Sequence, residues 1–235
     1  MSNNHQHPIK KENSVFFENS ESSKVVIRGG GNVVDIKNKN PRATVNLTIN
    51  GDNNKIIIGD SILKNLSITL GSHQRITGAE IVIGNNFSIE PGCVFDVFTD
   101  FAKIKIGDRC MFSRNIYLRY GDNPHLIFDL ETGEYLDGDG GISIGDKVWV
   151  GEGVFLSKRA VINDESIVAA RSVVTRNFVK KNCVIAGNPA VIVKEGIQWF
   201  RNRQHVPSGS KYDISIKDYD SLVKVKKESD DELAK

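Results

Sequence analysis

Residues 142–175 read ISIGDKVWVGEGVFLSKRAVINDESIVAARSVVT, and the stretch beats in sixes. Ile144, Val150, Leu156, Ile162, Val168 and Val174 stand six apart, each followed by a small or polar residue: Gly145, Gly151, Ser157, Asn163, Ala169 and Thr175. Four positions after each aliphatic comes a second, mostly small or apolar residue: Val148, Val154, Ala160, Ser166, Ser172 and Phe178. A helix repeats every 3.6 residues and a strand every 2, so neither alone keeps this register. A coil of short strands that turns every six residues does, and the pattern predicts an all-β parallel β-helix. Each aliphatic then points inward and stacks on its equivalent one coil away, at the ordinary strand spacing of about 4.8 Å.

Upstream the beat continues with slips. Ile106, Phe112 and Leu118 keep it, as do Ile83, Ile89, Phe95 and Phe101, and Ile58, Lys64, Leu70 and Ile76 with one polar exception. Short β-branched runs between Asn, Gly and Asp reach back to Lys24. A single solenoid with an irregular first half is expected, because repeats need neighbours to bury their faces. Residues 1–23 are polar and without period, and read as a flexible arm. The solenoid is expected over residues 24–198, and a charged tail over 199–235. From Leu118 to Ile144 the step is 144 − 118 = 26 residues, where an unbroken register gives 24 or 30. The text between, RYGDNPHLIFDLETGEYLDGDGG (119–141), lacks the beat and predicts a loop over 120–141 thrown out of the coil.

The bulk numbers exclude classes rather than choose one. A formal net charge of +2 in 235 residues gives no reason to expect nucleic acid as partner. Mean hydropathy is −0.28, and no apolar run approaches the roughly 18 residues of a transmembrane segment. The polar N-terminus lacks the apolar core of an export signal, so a cytoplasmic protein is expected, with Cys93, Cys110 and Cys183 as reduced core thiols.

The pieces IGDKVWVG (144–151), IVAARSVVT (167–175) and AGNPA (186–190) resemble the hexapeptide-repeat acetyltransferases. With the loop phrase GDNPHLIFDLETGE (121–134), the resemblance is nearest to bacterial capsular polysaccharide and polysialic acid O-acetyltransferases, and covers about residues 80–200. It implies a left-handed coil, against the right-handed rule for β-crossovers. It also implies acetyl-CoA as donor, a carbohydrate acceptor, no metal, and a homotrimer with active sites between subunits. Lys158–Arg159 stands where relatives commonly have Lys–Gly, which implies a wider turn or an extra contact.

Acyl transfer from a thioester to a hydroxyl needs a base, a donor for the oxyanion, and alignment of two substrates. Of the five histidines, His5 and His7 lie in the arm, His73 in a repeat turn and His205 beyond the solenoid. His125 alone stands in the inserted loop, and it matches the family's catalytic position. Asp122 is the candidate to orient it, with Asp129 and Glu131 also near. Asn115 and Arg119, just before the loop, are candidate acceptor contacts together with Asp122. The resemblance places Trp149 near the thioester end of CoA and Gly151 at a corner whose N–H could face the thioester or oxyanion. It places Ala169 and Ala170 along the pantetheine arm, and Arg171, Arg176 and Lys194 near the nucleotide phosphates. An N-acetyltransferase on an amino sugar, or a small-molecule acetyltransferase of the same fold, is the alternative. A zinc hydratase on the same coil needs three converging histidines.

Overall fold

The computed structural model describes residues 11–19, 21–122, 124–136 and 140–233; His5 and His7 lie outside them. The chain divides into two units, Met1–Ile197 and Gln198–Lys235. The first is a parallel β-helix with three faces.

Strands Val33–Asn38, the start of Lys55–Leu63, Glu80–Ile83, Lys103–Ile106, Ile142–Ile144, Val161–Ile162 and Asn177–Phe178 stack in parallel as the first face. The second face runs from the end of Lys55–Leu63 through Phe87–Ile89, Met111–Phe112, Trp149–Val150 and Ile167–Val168 to Cys183–Gly187. The third face holds Lys24–Arg28, Thr44–Asp52, Asn65–Leu70, Cys93–Val97, Tyr117–Tyr120, Phe155–Ser157 and Val173–Val174. The registers align the six-residue beat as expected. Ile83, Ile106, Ile144 and Ile162 pair in sequence on the first face, and Ile89, Phe112, Val150 and Val168 on the second. All of these are buried.

Most of the slips fall at one corner. The chain turns tightly from the first face to the second and from the second to the third, but bulges from the third back to the first. Leu156 reaches Ile162 in six residues, whereas Phe95 reaches Ile106 in eleven and Leu118 reaches Ile144 in 26. Phe101 falls in this third corner, two-thirds exposed, rather than in the core. Lys64 is displaced at a different corner, by a five-residue step from Ile58 on the first face: Leu63 takes the buried place opposite Ile89, and Lys64 pairs with Glu90 at the surface.

Ser14–Phe17 pairs in parallel with Val33–Ile36, so the coil starts inside the segment read as an arm. The alternation of Val15 and Phe17 was too short to register as a repeat by itself. At the other end, Ala190–Glu195 returns antiparallel on Cys183–Gly187 and covers that edge. The second unit holds a turn of 3-10 helix, Arg203–His205, and the helix Lys211–Leu233. A forked Arg203–Asp220 pair at 2.5 and 2.7 Å ties its two parts.

Candidate active site

The inserted loop leaves at the third corner and is held there. Gly121, at φ +99, passes over Thr99 so closely that a Cβ would lie 2.2 Å from its Oγ1. The Asp122 carbonyl accepts the His125 N–H at 3.2 Å, which ties the backbone of the exposed His125 to the root of the loop. The Asp122 carboxylate takes Lys158 Nζ at 2.5 Å. Asp129 shapes the next turn instead of facing the histidine: its Oδ1 accepts from Glu131 N, Thr132 N and Thr132 Oγ1, and these bonds hold its carboxyl below the usual range. Beyond it Phe128 and Tyr135 pair as a small antiparallel bridge.

A groove of about 670 Å³ opens elsewhere, on the second face and its following corner. Trp149, Gly151, Ala169 and Ala170, singled out from the sequence, all line it. Trp149 points outward and is 39% exposed, with its indole N–H bonded to Ser113 Oγ at 3.2 Å. Gly151 is glycine for packing: a Cβ there would lie 2.6 Å from Ala170 N and 2.8 Å from Val168 O. One expectation is corrected. The Gly151 N–H donates to Val168 O at 2.8 Å, so the coil already uses the amide assigned to the oxyanion. Ala169 N–H is committed in the same way to Ile185 O. Ala170 N–H, like Arg114 N–H and Glu152 N–H on the preceding coils, has no backbone partner among the described residues, and all three residues line the groove.

The basic candidates divide. Lys194 lies in register with Val184, which pairs with Ile167, which pairs with Trp149. Three strand spacings, about 14 Å, therefore separate it from Trp149 along one outward stripe. Arg171 sits at the corner beside Ala170, its side chain crossing Gly153. Arg176 is at the third corner, where its carbonyl accepts Val161 N–H, away from that stripe.

The acceptor candidates divide too. Asn115 is a left-handed turn residue at the second corner, φ +57, with its amide over Gly92. Arg119 is on the third face, its guanidinium 4.2 Å above the Phe98 ring, which also stacks on His73. Beside it Tyr117 donates to Asp96 at 2.7 Å. Ser113, Arg114 and Glu152 line the groove without having been foreseen. Ser113 carried a usable signal: it follows Phe112 as Gly151 follows Val150 and Ala169 follows Val168, so one hexad position lines the groove on three successive coils.

No protein-family model matches the chain. A polysialic acid O-acetyltransferase of Neisseria meningitidis is 30% identical over 189 residues, covering 79% of this chain and 83% of that protein. The chain belongs to the hexapeptide-repeat acetyltransferases. A polysialic acid O-acetyltransferase of Escherichia coli O1:K1 is 35% identical over 124 residues, 53% of this chain but only 39% of that protein's length. The crystal structure of the polySia-specific acetyltransferase NeuO superimposes with a TM-score of 0.60 at 29% identity, over 84% of this chain and 98% of that one. The coil is thus the left-handed β-helix of this family.

Proposed function

We propose that the protein is an acetyl-CoA-dependent O-acetyltransferase that acetylates a sugar hydroxyl of a bacterial surface polysaccharide. The supporting observation is that Trp149, Gly151, Ala169 and Ala170 converge on one groove, while the relatives are named for O-acetylation of polysialic acid. Ser113, Gly151, Ala169 and Ala170 leave one strip of the groove free of large side chains, which suits an extended pantetheine arm. Trp149 flanks the thioester end, Ala170 N–H serves a pantetheine carbonyl, and Arg171 and Lys194 face the phosphates.

His125 takes the proton of the acceptor hydroxyl as its oxygen attacks the thioester carbonyl. The resulting imidazolium then returns the proton to the departing thiolate sulfur. Transfer is direct, within a ternary complex. His125 leaves the coil at the third corner, whereas the groove lies on the second face and its following corner, which supports a complete site that combines the loop of one subunit with the groove of another in a homotrimer. Asn115 and Arg119 contact the acceptor at that junction. The working environment is the cytoplasm, where acetyl-CoA is made.

The test is acetyl-CoA turnover with a panel of hydroxyl sugars, polysialic acid included, and amino sugars. Hydroxyl sugars alone should consume the donor. His125→Ala should lower kcat by about 10²–10⁴-fold while CoA still binds. Full turnover by that variant, or preference for an amine acceptor, rejects this reading.

A further inference from the structure

The long loop is fastened at both of its roots by two adjacent basic residues from the next coil. After Leu156 the third corner runs Ser157, Lys158, Arg159, Ala160. Lys158 holds the outgoing root: its Nζ meets Asp122 Oδ2 at 2.5 Å, and the two side chains are only 17% and 34% exposed. Asp122 is the residue whose carbonyl fixes the His125 amide, so a single residue links the coil to the imidazole-bearing turn. Arg159 holds the returning root. Its Nη2 donates to Leu136 O at 3.2 Å and its backbone N–H to Gly140 O at 3.0 Å. Its stem also lies against Gly140, where a Cβ would be 2.2 Å from Arg159 Cγ.

Arg159 does this from φ +70, a backbone conformation in which glycine is unstrained and a side chain is not. For the coil by itself glycine is the better residue. The side chain therefore acts on the loop it grips. A partly buried, doubly anchored root also differs from an ordinary exposed ion pair, which contributes little.

We infer that Lys158 and Arg159 are positioning residues: they fix the two ends of the loop so that His125 is presented in one place. This rests on the reading of His125 as the base. A base displaced by about 1 Å can cost about a hundredfold in rate, so anchoring at the roots acts on kcat.

Three variants test it, with steady-state kinetics, thermal melting and hydrogen exchange of peptides covering 121–141. Arg159→Gly and Lys158→Met should each lower kcat about 10- to 100-fold with KM for acetyl-CoA within about twofold of wild type. Exchange in the loop should quicken in both, and the melting temperature of Arg159→Gly should be equal to or above wild type. Lys158→Arg, which keeps the pair with Asp122, should recover most of kcat. Wild-type kcat in Arg159→Gly and Lys158→Met, or unchanged exchange in the loop, overturns the inference. So does a kcat loss that tracks a fall in melting temperature with no rescue by arginine. Failure of the base reading is seen separately, as full turnover by His125→Ala, while loop exchange still reports whether the two residues anchor it.

Discussion

A Cβ on Gly145 would lie 2.3 Å from Asp164 Oδ1, and one on Gly107 would lie 2.3 Å from Asp146 Oδ1. Those oxygens are fixed because each accepts a backbone N–H from the coil below: Asp164 from Asp146 and Asp146 from Asp108. The small residue of the hexad is thus the space a neighbouring carboxylate needs to cap the next turn. Gly145→Ala should destabilise by about 2 kcal/mol, as overpacking of a rigid site does, read as a lower urea midpoint at unchanged slope. An unchanged midpoint would show that the corner yields. The preference for a small residue was legible in the sequence; its cause was not, because Asp146 and Asp164 are eighteen residues apart and meet only when the coils stack. The thiols were legible by register alone. Burial pushes Cys93 up to about 11 and Cys110 up to about 12, from an ordinary 9.0. Raised in the folded state, these groups stabilise the protein fully below about pH 9, and that stability is lost as pH climbs through 11 and 12. Melting temperature should therefore fall above pH 9, and the fall should be shallower in Cys110→Ala. Equal slopes in the two proteins would count against a buried thiol.

At the scale of single elements, the two halves of the coil are closed by different devices. The C-terminal coils keep strict hexads, whereas the N-terminal coils carry a ladder of buried asparagines. Asn32 Nδ2 donates to Asn13 Oδ1 at 3.0 Å, Asn54 Nδ2 to Asn32 Oδ1 at 3.0 Å, and Asn54 Oδ1 accepts Ala79 N–H at 2.9 Å. These spacings of 19 and 22 residues match no fixed repeat, so the sequence displayed asparagine-rich turns without displaying their alignment. The same irregularity hid the true inward residue at Leu63 behind Lys64. The loop at 120–141, by contrast, was visible as a gap in an otherwise steady beat. Asn54→Ala removes the side-chain partners of Ile76 O and Ala79 N–H, while Asn32 Oδ1 keeps the backbone N–H of residue 54, at a cost of about 3 kcal/mol. In a solenoid such a loss stays local. Hydrogen exchange should rise over residues 30–80 and remain slow over 142–175. A uniform rise along the coil would mean that the ladder supports the whole stack.

At the scale of the whole molecule, the candidate chemistry is split between two edges of one prism. Trp149, Ala169 and Ala170 belong to the second face and its corner; His125 belongs to the third corner and is not among the groove's lining residues. The sequence supplied both sets but not their separation, because a hexad register says which residues point outward and leaves unsaid which edge an inserted loop leaves from. If the site forms between subunits, two different defects can complement. Ala170→Trp fills the groove, and His125→Ala removes the base, so either protein alone should be inactive. In a 1:1 co-expressed mixture, an interface is intact when its loop comes from the Ala170→Trp chain and its groove from the His125→Ala chain. In a cyclic assembly of randomly mixed subunits that is about one interface in four, so about a quarter of wild-type activity should return. The restored activity should also vanish when the double variant replaces either partner, since one of the two wild-type parts is then missing from every chain. Hetero-oligomers that are recovered intact yet remain inactive would place loop and groove of the same chain together, and the division of labour between subunits would have to be abandoned.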